Sequence, residues 1–260
     1  MGEVFLGVIG LSTVSLSIVV ACIALFAGFV KGAVGFALPM ILISGLGSIL
    51  APDVALAALL IPILAANLIQ SLSDGARAAL QTLRRFWVYI LCLLVVLSIS
   101  AQFVPLLRAE VLYVLIGLPI VSYAVSQILG WRLTFAPDAR GPEAAFGLIA
   151  GLMSGLAGTW GPPTVMYFTA IDLDKRTAIR AQGVIYLMGS VMLTFAHLNS
   201  GILRSETAPL SVFVMVIALF GLRLGTRLNK RLPQAAFRRM MLWVLLIAGA
   251  NLIRRGVMGA

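Results

Sequence analysis

The chain has 260 residues, of which 61% are hydrophobic and 11% are charged, and its mean hydropathy is +1.08. Ordinary soluble domains are about 45–50% apolar and about 25% charged, so this composition excludes a water-soluble globular protein and a disordered one. The net charge of +10 lies in short connections between apolar segments, which indicates topology signals and contacts with lipid headgroups and not nucleic-acid binding.

Ten apolar segments follow one another along the chain. They predict helices at 4–30, 36–50, 54–71, 87–104, 111–130, 144–157, 162–171, 177–198, 208–224 and 235–253. A helix needs about 20 residues to cross the hydrocarbon layer, so the short segments 36–50, 144–157 and 162–171 are expected to be half-helices or re-entrant pieces. The segments show no two-residue alternation of apolar and polar residues, which disfavours a transmembrane barrel.

The two halves of the sequence repeat each other. At a shift of 123 residues, Gly28, Gly32, Gly35 and Pro39 fall on Gly151, Gly155, Gly158 and Pro162. We therefore predict a first membrane repeat at 1–130, a linker at 131–143 and a second membrane repeat at 144–260. Because each repeat has about five helical elements, an odd number, the second repeat enters from the opposite face. The predicted fold is an all-α polytopic membrane protein built from two inverted-topology repeats.

The basic residues predict the orientation in the membrane. If the elements alternate sides, fourteen Lys and Arg residues lie on one side and four on the other, with Lys31 inside the glycine motif. The positive-inside rule then places both termini on the external or periplasmic side of a cytoplasmic membrane.

Each repeat has a glycine-rich break that ends on a proline. Gly35 and Gly158 free the backbone to leave the helix, and Pro39 and Pro162 fit the first turn of the next helix. The N–H groups and the dipole of a helix that starts at mid-membrane attract an anion, and two inverted breaks would meet near the midplane. The alternative is glycine-mediated helix packing. Alanine at Gly28, on continuous helix, is expected to be milder than valine at Gly158.

A stripe of polar residues is predicted on the helix at 177–198. Gln182, Tyr186 and Ser190 recur every four residues, so they share one helix face. Asn67 is the repeat equivalent of Ser190, and Gln70 lies one turn further along its helix. We expect these neutral donors to line a cavity for an oxyanion, although hydrogen bonds between helices are the alternative.

The candidate site also contains residues at the breaks themselves. Lys31 and Arg180 are the candidate positive charges, and the alternative for Arg180 is a place at the cytoplasmic interface. Gly32 and Gly155 lie on the approaching helices, and Thr159 and Trp160 border the second break. Trp160 is either a gate or a packing residue. No acidic residue lies deep in an apolar segment, so no metal site or cofactor is predicted, and the coupling ion, proton or sodium, stays open.

The stretches A-G-F-V-K-G-A-V-G-F-A-L-P at 27–39 and A-G-L-M-S-G-L-A-G-T-W-G-P-P at 150–163 resemble the sulfite exporter TauE/SafE family, also called the toluene-sulfonate uptake permease (TSUP) family. The resemblance implies a secondary transporter of a small anion such as sulfite, sulfoacetate or another organosulfonate, and not an enzyme. Two alternatives remain, an anion channel and an intramembrane hydrolase that would use Ser154 and His197.

Overall fold

The computed structural model describes residues 13–100, 109–131, 134–157, 160–199 and 202–258. Within these ranges all regular secondary structure is helical and there is no strand, which confirms the predicted all-α class. The helices are α1 (Val14–Val34), α2 (Leu38–Leu46), α3 (Pro52–Ser71), α4 (Ala76–Arg85), α5 (Trp87–Ser100), α6 (Ala109–Ile128), α7 (Arg140–Ala157), α8 (Gly161–Ala170), α9 (Lys175–Asn199), α10 (Ala208–Arg231) and α11 (Gln234–Met258).

Several of these helices are long and apolar enough to cross a bilayer. In the described residues, five pass on length and composition: Val14–Val34, Asp53–Ser71, Lys175–Phe195, Ala208–Arg231 and Gln234–Met258. The pair α4 and α5, bent by 73° at their junction, is a candidate for a sixth. The protein is therefore a multi-pass membrane protein, as the composition predicts.

The helix ends follow local sequence signals. Thr13 accepts a hydrogen bond from the Leu16 N–H at 3.2 Å, which caps the start of α1. Prolines lie in the first turns of α2, α3, α8 and α10, where a missing N–H breaks no helical hydrogen bond. The predicted short segments at 36–50 and 162–171 are α2 and α8, of nine and ten residues.

The chain divides into two compact units. The first contains residues 1–75 and 183–232, and the second contains residues 76–182 and 233–260. Each unit therefore takes elements from both halves of the sequence, and α9 contributes its first residues to the second unit and the rest to the first. The core of the first unit is aliphatic and is supplied by α1, α2, α3 and α10.

Glycines bring α1 and α10 into close contact in the first unit. A β-carbon added at Gly28 would lie 1.9 Å from the Ala218 carbonyl oxygen, and one added at Gly225 would lie 2.0 Å from the Phe29 carbonyl oxygen. Both distances are far below van der Waals contact, so the two backbones touch. Alanine at Gly28 therefore has to push the two helices apart. That it is milder than valine at Gly158 stays a prediction, since Gly158 lies outside the described residues.

The second unit packs α5 on α7 and α6 on α11. Its core is aromatic: the ring of Tyr167 stacks on the ring of Tyr89 at 5.6 Å and lies 5.7 Å from the ring of Phe146. Tyr89 and Tyr167 are fully buried. Aromatic rings of this size bury large areas per residue and so supply much of the packing energy of the unit.

Residues of the predicted linker hold the bend between α4 and α5. Arg85, the last residue of α4, bonds to Asp138 at 3.2 Å, and Arg140 donates to the Arg85 carbonyl oxygen at 3.1 Å. The buried Glu143 accepts the Tyr89 N–H at 3.2 Å, so it caps the start of α5 from another helix. Helix α7 begins inside the polar stretch 131–143. The contacts of Arg140 and Glu143 fix the bend between α4 and α5, and we call them the clamp.

The packing is compatible with two related halves. Asn67 donates to Ser190 at 3.3 Å, and these residues are 123 positions apart, the shift that aligns the two glycine motifs. The same shift relates α1 to α7 and α5 to α10, and each repeat-equivalent pair has its own contact: α1 packs on α10, and α7 packs on α5. Contact between equivalent residues is what a two-fold relation between repeats produces. The inversion of the second repeat stays a prediction.

Candidate anion site at the first helix break

The first break has a left-handed backbone at two residues. Gly35 ends α1 with φ 91°, and its N–H donates to the Lys31 carbonyl oxygen at 2.7 Å. Ala37 precedes α2 with φ 75°, an uncommon conformation for a residue that has a β-carbon. Pro39 is the second residue of α2. The chain therefore stops being helical at 35–37, where the glycine motif predicts it.

Three side chains of the first unit meet at this break. The Lys31 Nζ atom and the Gln70 Nε2 atom both donate to the Gly35 carbonyl oxygen, at 3.2 Å and 3.0 Å. The Lys31 Nζ atom also lies 5.4 Å from the centre of the Tyr186 ring, a cation–π distance. All three side chains are buried, with exposed fractions of 2%, 6% and 2%. The sequence predicts each of them, but only the fold brings them together.

Lys31 has no acidic partner among the residues that the structure describes. Its one described hydrogen bond goes to a neutral carbonyl oxygen, although an ammonium group has three N–H donors. A buried charge in an apolar environment is costly unless an opposite charge compensates it. Within the described ranges, no negative charge compensates the Lys31 ammonium.

The predicted polar stripe lies beside this cluster on α9 and α3. Ser190 is fully buried and Asn67 is 3% exposed, and the two are joined by the hydrogen bond described above. The Asn67 Oδ1 atom and the Thr194 Oγ1 atom are buried, and within the described ranges neither has a hydrogen-bond partner. Unsatisfied buried polar atoms of this kind indicate bound water or a ligand.

Gln182 lies one turn before Tyr186 on α9, in the part of this helix that belongs to the second unit. Its exposed fraction is 0%, and neither amide atom has a partner in the described part of the chain. A buried primary amide without any hydrogen bond is costly. Gln182 is therefore a further member of the polar stripe that has no partner among the described residues.

The second break is only partly described. Helix α7 ends at Ala157, with Gly155 in its last turn, and α8 starts at Gly161 after the buried Trp160. Pro162 is the second residue of α8. Gly158 and Thr159 lie outside the described residues.

Thr164 and Tyr89, which the sequence does not single out, form hydrogen bonds in this second region. Thr164 donates to the Trp160 carbonyl oxygen at 2.8 Å, and its hydroxyl pairs with the Tyr89 hydroxyl at 2.8 Å. Ser154, the equivalent of Lys31 in the second half, donates to the Ala150 carbonyl oxygen within its own helix. The second break thus has no counterpart of the Lys31 cation at this position.

Gly32 has a packing role in the structure. A β-carbon at this position would lie 2.2 Å from the Leu222 carbonyl oxygen and 2.8 Å from the Thr226 nitrogen. Its open side therefore faces the backbone of α10. A packing contact of this kind is the alternative that the G-x-x-x-G pattern leaves open.

Comparison with known proteins gives one similarity. The family model described as Sulfite exporter TauE/SafE matches residues 20–252, nearly the whole chain. No curated protein and no solved structure gives a significant match.

Proposed function

Because the chain belongs to the sulfite exporter TauE/SafE family, we propose that it is a secondary transporter that carries a small sulfur-containing anion by alternating access. The substrate class is sulfite, sulfoacetate or a related organosulfonate. The family consists of membrane permeases and not enzymes, and the helices that can span a bilayer support this reading. The cytoplasmic membrane is the proposed location.

The buried and uncompensated Lys31 is the observation that carries this proposal. A lysine enclosed in a membrane protein costs roughly 2.5–3.5 kcal/mol on insertion scales, so its position calls for a function. Its ammonium group lies at the break between α1 and α2, and irregular backbone inside a bilayer is tolerated where it is buried in protein or lines a cavity. An anion bound at this point would compensate the charge.

The neutral groups around Lys31 fit an oxyanion with several acceptor oxygens. Gln70 on α3 supplies an amide N–H group. The pair of Asn67 on α3 and Ser190 on α9 supplies further polar atoms. A sulfonate or sulfite group has three oxygens, so it can accept from the ammonium and from neutral donors together. Gln182 stays a predicted binding residue of the second unit, where its buried amide has no partner among the described residues.

Transport by reconstituted protein tests this proposal. Purified protein in liposomes should take up radiolabelled sulfite or sulfoacetate with saturable kinetics, and an internal pool of the unlabelled anion should accelerate uptake of the label. Such counterflow distinguishes a carrier from the anion channel, which needs no alternating access. If the wild type transports neither sulfite nor sulfoacetate, the proposed function is wrong.

Substitution of Lys31 tests the site. Loss of a charge-assisted hydrogen bond costs about 1.5–3 kcal/mol, so Lys31→Met should weaken anion affinity by about tenfold to a hundredfold. The matched control is Lys230→Met, which removes an exposed lysine in the last turn of α10 and should leave affinity unchanged. Equal affinity for Lys31→Met and the control, at equal reconstitution, would place the anion site elsewhere.

A further inference from the structure

Lys31 is a buried basic group at the first break, so its protonation state matters for transport. Helices α2, α3, α9 and α10 pack around this end of α1 in the first unit. Of the described titratable groups that these helices contribute, Tyr186 faces the ammonium. Asp53 on α3 is exposed, and so are the basic residues on α10: Arg223, Arg227, Lys230 and Arg231. Helix α2 has no ionisable side chain.

The remaining ionisable residues of α1 and of the first-unit part of α9 are remote. Cys22, on α1 itself, is exposed and lies nine residues before Lys31. His197 follows Tyr186 by eleven residues of α9, which corresponds to about 16 Å along the helix axis. No described carboxylate bonds to Lys31, so within the described residues only the neutral Tyr186 ring and Gly35 carbonyl oxygen contact its amine when the site is empty.

The charge of Lys31 and the presence of an anion are therefore linked. An ammonium enclosed in apolar surroundings is unfavourable alone and favourable beside an anion. Linkage is reciprocal, so a bound anion favours protonation and protonation favours the anion to the same degree. The neutral amine still donates a hydrogen bond to the Gly35 carbonyl oxygen, so the empty site loses only the charge.

We propose that Lys31 carries the coupling proton, so that one proton crosses the membrane with each anion; this rests on the proposed function. The amine of Lys31 takes a proton from the side on which the anion enters, and the ammonium and the anion cross as a neutral pair for a monovalent anion. On the far side the anion leaves, and the proton follows it. The lone pair returns to the nitrogen, and the carrier reorients with a neutral amine.

The wild-type protein tests the stoichiometry. In liposomes loaded with a pH-sensitive dye, uptake of sulfoacetate as the anion probe is measured together with internal acidification. Valinomycin and potassium set the membrane potential. Because sulfoacetate carries two negative charges at neutral pH and one when its carboxyl group is protonated, a monovalent sulfonate such as methanesulfonate serves as the second probe. For the monovalent probe we expect one proton per anion and a rate that does not respond to the potential.

Lys31→Arg separates coupling from binding. A guanidinium stays protonated in proteins, so the variant keeps the cation. The carrier without a bound anion then cannot reorient with a neutral side chain at position 31. Counterflow, in which the carrier crosses loaded in both directions, should persist, whereas net uptake driven by a pH gradient should fall by about tenfold or more. Lys230→Arg is the matched control and should keep both activities. Anion-dependent thermal stabilisation shows that the folded variant still binds.

The outcomes separate the two proposals. Saturable anion transport by the wild type without proton movement, or with a rate set by the membrane potential, would overturn proton coupling and leave the transporter in place. Proton-driven net uptake by Lys31→Arg would overturn it as well. Absence of any anion transport by the wild type would instead overturn the proposed function. If Lys31→Arg does not fold, the wild-type stoichiometry decides.

Discussion

Ala37 holds a conformation that suits glycine better than alanine. Its φ is 75°, and an L-residue with a β-carbon pays about 1–2 kcal/mol in the left-handed region. Ala37→Gly removes this cost, although glycine has more freedom to lose on folding. We expect a net gain of about 0.5–1 kcal/mol, which is about 1–4 °C in Tm for a chain of this size. Thermal unfolding in detergent measures it.

An alanine on regular helix is the control for this substitution. Ala145 is exposed within α7, and Ala145→Gly should lower stability by roughly 0.5–1 kcal/mol, since glycine in a helix interior is unfavourable. The same chemical change should therefore have opposite signs at the two positions. A fall in Tm for both variants would show that the break does not strain residue 37.

At the scale of elements, the contact between α1 and α10 depends on glycines on both helices. Gly28→Ala would place a methyl group 1.9 Å from the Ala218 carbonyl oxygen, and a backbone atom cannot move aside as a side chain can. The helices must separate, at a cost of about 1–3 kcal/mol or more. We expect a clear loss of Tm and of monodisperse protein on size-exclusion chromatography.

Gly141→Ala is the matched control, because no atom lies within 4 Å of the position that its β-carbon would take. This variant should be as stable as the wild type or slightly more stable, since alanine favours the first turn of α7. If Gly28→Ala and Gly141→Ala unfold at the same temperature, the close approach of α1 and α10 is not a source of stability.

The elements that the sequence predicts are the apolar ones. Segments 36–50 and 162–171 are recognised as short helices because a glycine-proline signal and a lack of length are both visible locally. Helix α4 is not predicted, because most of its residues are polar or small and its amphipathic sequence contains no apolar segment. The clamp by Glu143 and Arg140 also escapes, since it joins residues more than 50 positions apart.

The candidate site shows the same limit. Pattern and polarity single out Lys31, Gln70 and Tyr186 one at a time, because each is a polar residue in an apolar segment. Lys31 and Gln70 meet at the Gly35 carbonyl oxygen, and the Tyr186 ring lies beside the Lys31 ammonium. This arrangement depends on how α1, α3 and α9 pack, and no local signal encodes that. For Gly32 the glycine pattern does not distinguish helix packing from ligand binding. In both cases the backbone approaches its partner closely because glycine has no side chain.

At the scale of the whole molecule, the basic residues predict the topology. Single-cysteine variants on a background without Cys22 and Cys92 test it with a membrane-impermeant maleimide on intact cells. Val257→Cys, exposed near the C-terminal end of α11, should react from outside. Lys230→Cys, before the connection between α10 and α11, should react only after the membrane is opened, since its basic neighbours favour the cytoplasmic side. The reverse pattern would contradict the predicted orientation.

The contact of α1 with α10 also sets an order of events during synthesis. Asn229 donates to the Ala33 carbonyl oxygen, and 196 positions separate these residues. At about 5–20 residues per second, a ribosome needs roughly 10–40 s between them. During this time α1 lies in the bilayer as an independent helix whose backbone hydrogen bonds are all internal. Its glycines have no contact with α10 until that helix is made. A nascent chain released before α10 is made therefore lacks the helix surface on which α1 packs.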